Sequence, residues 1–94
     1  RGDVIDLPKG ASVIDFAFAI HTEVGLHAKG ARVNGKYSAL KTELHNGDIV
    51  NVEVDNNSHP TKRWADAAIT THAKKHIRNY LKENGTMFER WLNQ

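Results

Sequence analysis

A chain of 94 residues with 39% hydrophobic content is long enough for one compact domain with a modest core. It contains no cysteine, which excludes a disulfide scaffold, a thiolate metal site and a cysteine nucleophile. The net charge of +2 conceals an asymmetry, because residues 1–54 carry six Lys/Arg against seven Asp/Glu and residues 55–94 carry seven against four, so a polyanionic partner is expected for the second part.

Arg1-Gly2-Asp3 reads as a turn and Val4 to Leu7 as a strand, closed by Pro8-Lys9-Gly10. If that turn is half of a hairpin, its first strand lies upstream of residue 1 and the chain is a piece of a longer protein. Ser12 to Gly25 reads as a helix. Ser12 and Asp15 have capping-box spacing, Val13, Phe16, Ala17, Ile20 and Val24 recur on one face, and Gly25 suits a left-handed stop. A helix this short and apolar needs a partner surface, which the flanking strands supply. Leu26 to Gly30 is a crossing segment carrying His27 and Lys29. Ala31–Val33 and Lys36–Ser38 then flank Asn34-Gly35, the dipeptide best suited to a type I′ hairpin turn. Asn46-Gly47-Asp48, introduced by Leu44, turns into Ile49–Val54, a half-buried strand with Val50, Val52 and Val54 on one side.

Residues 55–60 are polar and turn-rich, and beyond them the periodicity becomes helical. The organisation expected is a domain over residues 1–55, a linker over 56–60 and a basic helical segment over 61–94. Residues 61–68 form a short helix displaying Trp64, and Thr71 caps a longer one running to Asn84, with Gly85 after it. Ala73, Ile77, Tyr80 and Leu81 fall on one side of that helix, with Lys74, Lys75, Arg78 and Lys82 on the other. Thr86 and Glu89 start a further capping-box pattern with Phe88, Trp91 and Leu92 as its apolar edge.

The order strand, helix, hairpin and final strand is that of an α+β, β-grasp (ubiquitin-like) domain. The runs LPKGASVIDFAFAIHTEVG, GARVNGK and LHNGDIV resemble the TGS domain, named for threonyl-tRNA synthetase, GTPases and SpoT. The following HPTKRWADAAITTHAKKHIRNYLKE resembles the stretch that succeeds this domain in long RelA/SpoT-type alarmone enzymes. The resemblance covers about residues 3–82. It implies a regulatory piece of a parent that makes or hydrolyses (p)ppGpp through catalytic domains upstream. It also implies one of two partner sets: the acceptor end of uncharged tRNA with ribosomal RNA, or acyl carrier protein, as in the SpoT-like branch. The catalytic domains of the same chain are a third partner of this kind. No catalytic pattern of that kind appears in the chain itself: no His is followed by Asp, and there is no GxxxxGK[ST] phosphate cradle. No cofactor is expected.

Where the tRNA-sensing relatives carry Gly-His-Arg, with the His on the tRNA 3′ end, this sequence has Gly25-Leu26-His27. Leu26 takes the place of that His, so either His27 substitutes from the next position or terminal-nucleotide reading is lost or different. His21 is a second possible 3′-end contact, weighed against a plain helix-capping role. Candidate nucleic-acid contacts are therefore His27, Lys29, Arg32, Lys74, Lys75, Arg78 and Lys82. On the long helix the four cations have no acid among them, which forgoes the usual i, i+4 ion pairs and favours a phosphate-facing role. Trp64, Phe88 and Trp91 could stack on bases, although aromatics at helical spacing are more often core residues. His72 and His76 have metal-ligand spacing but no third ligand, so no metal is expected. No apolar run approaches the roughly 18 residues of a membrane span and no signal pattern opens the chain, so a soluble, cytoplasmic protein without a membrane partner is expected.

Overall fold

The computed structural model describes residues 7–92, with side chains as far as residue 83. The elements are α1 (Val13–Ile20), α2 (Thr22–Leu26), β1 (Ala28–Val33), β2 (Lys36–Ser38), β3 (Val50–Val54), α3 (Lys62–Ala67) and α4 (Thr71–Leu92). The three strands form an antiparallel sheet in the order β2-β1-β3. Helix on antiparallel sheet is the α+β, β-grasp arrangement expected. The strand expected over Val4–Leu7 lies outside the described residues except for Leu7, which is not in a strand.

The Asn34-Gly35 turn forms as its residue types demand. Both central residues have positive φ, 55° and 83°, and Val33 pairs with Lys36 across it. β1 starts earlier than the sequence suggests, at Ala28, because one extra residue is taken up as a bulge between Ala28 and Gly30. Of the three β3 valines Val50 and Val52 are half-buried, as is Glu53 on the strand, while Val54 is exposed.

The Ser12–Gly25 helix is broken in two. His21 adopts an extended conformation, its N–H donating back to Ala17 O while its Nδ1 accepts from Glu23 N–H at 3.0 Å, so it ends α1 and caps α2. Gly25 therefore lies inside α2, where it is needed for a different reason: a Cβ there would run into the Phe18 ring. The buried face is also rotated from expectation. Val13, Ile14, Ala17 and Phe18 are buried, whereas Phe16 is half-buried and Ile20 is 37% exposed. Surfaces on two sides cause this, since residues 40–44 bond to the start of α1 and α4 packs against its flank.

The helix start shows the same division of labour. Val13 N–H donates to Thr42 O and Ile14 N–H to Leu40 O, so backbone from the 39–44 segment satisfies two of the open donors of the first turn. Asp15 makes its capping-box bond to the Ser12 backbone and also reaches beyond α1. Its Oδ2 accepts from Ser12 N–H (2.9 Å) and Ser12 Oγ (3.2 Å), and its carboxylate also accepts from Ile69 N–H (3.0 Å), Thr70 N–H (2.9 Å) and Thr70 Oγ1 (2.8 Å). The side chain is 1% exposed and joins α1 to the entrance of α4.

Thr70, not Thr71, caps α4, its Oγ1 accepting from Ala73 N–H at 3.2 Å. α4 then runs 22 residues through Gly85 without stopping. A glycine ends a helix only if the chain turns left-handed there; kept helical, it costs about 1 kcal/mol relative to alanine. Thr86 accordingly starts no new helix, and the Phe88, Trp91 and Leu92 edge lies outside the described side chains.

One core serves sheet and helices. Ile14, Ala17 and Phe18 of α1 and Ala28 of β1 cluster with Trp64, Ala68, Ala73 and Ile77 from the helical segment. Among the described residues, no helix is long and apolar enough to cross a membrane.

Candidate nucleic-acid interface

The outward side of α4 collects cations because its inward side is committed to the core. Ala73 and Ile77 are fully buried, Tyr80 and Leu81 half-buried, and at 100° per residue this leaves Lys75, Arg78 and Lys82 on one outer arc. All three are exposed, whereas Lys74 is half-buried at the flank. Among the described residues none of the four has an ion-pair partner. From residue 75 to residue 82 the arc spans about 10 Å of helix axis. These charges can meet a polyanion without first breaking internal pairs.

The sheet-side candidates are engaged differently. Arg32 Nε donates to Glu53 Oε2 at 3.0 Å, a cross-strand pair between β1 and β3 that neutralises it. Lys29 is exposed and stands at the edge of an open cleft of about 710 Å³, lined also by Tyr37, Leu40, Lys41, Arg63 and Ile69, between the sheet and α3. Tyr37 Oη donates to Lys29 O, and its ring covers the face of Gly30.

The post-helix loop is likewise tied down. Leu26 is half-buried and packs against the core. His27 Nδ1–H donates to the Ser58 carbonyl at 3.1 Å, and its Nε2 lies 3.6 Å from Glu23. Its ring meets His59 edge-on at 5.6 Å, and His59 stacks on Tyr80 of α4 at 5.9 Å. A column of three rings therefore links the end of α2 to α4. His21, by contrast, is exposed and acts as the cap described above.

A second ring group joins the i, i+4 histidine pair, visible in the spacing, to a stacking partner that is not. His76 stacks on Phe18 at 5.9 Å and meets His72 edge-on at 4.6 Å, so the i, i+4 histidine pair contacts itself and the core. Burial, then the nearby charges of His72 and Lys75, push the His76 imidazole below its ordinary value. Trp64 is buried in the core, which leaves it no face for a base. The structure thus gathers Lys75, Arg78 and Lys82 on one surface and assigns Leu26, His27 and Arg32 internal partners.

Comparison with known proteins gives a consistent pattern. The model of the TGS domain matches residues 1–53. The chain is similar to a probable guanosine-3′,5′-bis(diphosphate) 3′-pyrophosphohydrolase of Synechocystis sp., with 48% identity over 84 residues, covering 89% of the chain and 11% of the relative. It is similar also to a GTP pyrophosphokinase of Myxococcus xanthus, 43% identical over 88% of the chain and 11% of the relative. A bifunctional (p)ppGpp synthase/hydrolase RelA of Mycobacterium tuberculosis is 44% identical over 85% of the chain and 11% of that protein. The chain thus spans about a tenth of the length of these relatives, as the 11% coverage states.

Proposed function

The chain belongs to the TGS domain family, in the form found in RelA/SpoT-type proteins, and from that premise we propose that it is a non-catalytic regulatory module of a guanosine tetra- or pentaphosphate synthetase/hydrolase. Its role in this reading is to sense uncharged tRNA on the ribosome, with α4 gripping RNA phosphates while the β-grasp lies at the acceptor end. The carrying observation is the exposed arc of Lys75, Arg78 and Lys82, unpaired among the described residues, on a helix fixed to the β-grasp by the Asp15 carboxylate.

The test is binding to uncharged and aminoacylated tRNA across a salt series, for the parent chain and for Lys75→Glu/Arg78→Glu/Lys82→Glu. Three phosphate contacts correspond to a slope of log binding constant against log salt of about −2 to −3, which the triple variant loses. A slope unchanged by the variant refutes the role of α4. Equal affinity for the two tRNAs refutes terminal sensing. Retention of an acidic protein such as acyl carrier protein, with no RNA bound, supports the module as a protein-docking one instead.

A further inference from the structure

The chain contains the dipeptide Asn-Gly three times, at 34–35, 46–47 and 84–85, and the fold treats the three differently. Asn-Gly is the sequence most open to spontaneous loss of the side-chain amide, because glycine offers no side chain to hinder attack by its own backbone nitrogen. Whether the reaction proceeds in a folded protein depends on what holds the amide and the following N–H.

Asn34 is held at both ends of its amide. Its Nδ2 donates to Asp48 Oδ1 at 2.9 Å and its Oδ1 accepts from Ile49 N–H at 2.9 Å. Asn84 lies in the helical backbone of α4, which fixes the peptide that would have to rotate. Asn46 is exposed, and among the described residues neither its amide nor Gly47 N–H has a hydrogen-bond partner. Gly47 is in the left-handed region at φ 89°, where no neighbouring atom lies within 4 Å of a would-be Cβ. Two hydrogen bonds close the turn, Asp48 N–H to His45 O (3.1 Å) and His45 N–H to Asp48 Oδ2 (2.8 Å), with the His45 ring 3.9 Å from the same carboxylate, all at the surface, where opening is easy.

We infer that Asn46 is a site of spontaneous covalent modification, with water as the co-reactant, and that the Asp48 clasp protects Asn34 from the same fate. The Gly47 nitrogen attacks Asn46 Cγ, a C–N bond forms and the Cγ–Nδ2 bond breaks, and ammonia leaves with the Gly47 amide proton. Water then opens the resulting cyclic imide at either carbonyl, giving aspartate or isoaspartate. Each route adds one negative charge beside Asp48, and the isoaspartate route also inserts a methylene into the main chain of the turn. That lengthening opens the His45–Asp48 turn, whose Asp48 side chain holds Asn34 at the neighbouring hairpin.

The experiment is incubation of the folded chain in mildly alkaline buffer, with peptide mass mapping and enzymatic methylation of isoaspartate as readouts. Asn46 is expected to gain one dalton and become methylatable about tenfold or more faster than Asn34, two hydrogen bonds each slowing the latter by a factor of several. In urea the gap closes, and Asp48→Ser in the folded chain speeds conversion of Asn34 by a few-fold. Equal rates in the folded chain overturn the inference. So does a gap that persists in urea, since local sequence would then set the rates, and so does an Asn34 rate indifferent to Asp48→Ser.

Discussion

Replacing Asp15 with alanine tests the connection between the β-grasp and the helical segment most directly. The carboxylate serves three backbone donors, Ser12, Ile69 and Thr70, and the hydroxyls of Ser12 and Thr70. Orphaning a buried backbone N–H costs about 1–3 kcal/mol, which applies in full to Ser12 and partly to Ile69 and Thr70, where water has some access. The hydroxyls can rotate to other partners, and removing a buried charge returns some desolvation energy. The expected net cost is about 2–4 kcal/mol. At about 0.05–0.15 kcal/mol per residue, a chain of 94 residues has roughly 5–14 kcal/mol of stability, so this one side chain accounts for a large share. Urea unfolding gives the energy, and amide hydrogen exchange at residues 69, 70 and 73 shows whether the entrance of α4 has opened. Asp15→Asn should lose about half as much, since its oxygen can keep the bonds to residues 69 and 70 while its NH₂ faces Ser12 N–H. A loss below about 1 kcal/mol for Asp15→Ala, or unaltered exchange at Ile69 and Thr70, refutes the reasoning.

Gly25→Ala forces a methyl into the buried Phe18 ring and should cost about 1–3 kcal/mol, lowering Tm by several degrees in a thermal melt. Gly30→Ala meets the Tyr37 ring, but Tyr37 is 53% exposed and can swing aside, so its effect should be clearly smaller, with loss of the Tyr37–Lys29 bond visible in near-ultraviolet dichroism. His76, stacked on Phe18 and flanked by His72 and Lys75, binds its proton less readily folded than unfolded. Its contribution to stability is therefore full above the ordinary histidine value of 6.5 and is lost as pH falls through the depressed folded value. Comparing acid unfolding of the parent with His76→Gln should show a shallower decline for the variant in that window.

What the sequence revealed follows from how local each interaction is. Asn34-Gly35 was legible because two consecutive positive φ angles leave few other residue choices. Trp64 as a core residue followed from helical spacing, and the cationic arc followed from 100° per residue. The break at His21 was not legible, since the apolar spacing continues across it and only the ring's own bond to Glu23 N–H marks the new start. Gly25 is a true signal with another cause: it allows close approach to Phe18 rather than a left-handed stop. Thr70 and Thr71 are equally good caps in sequence, and the choice is made by Asp15, 55 residues away. The internal partners of Arg32 and His27 are also non-local, on β3 and in the 55–60 loop, and no periodicity points to them.

The shared core also determines how the protein can be dissected. A cut in the polar loop around residues 55–59 looks harmless on the surface, yet the halves it would separate own opposite sides of one hydrophobic cluster: Ile14 and Phe18 on one, Trp64 and Ile77 on the other. Nicked there, the chain should stay together as a non-covalent pair. Expressed separately, the first half would present two of its largest buried side chains, each 1% exposed in the intact protein, to solvent and to other copies of itself. The smallest piece suited to biochemistry or transplantation therefore includes the helix that follows the sheet.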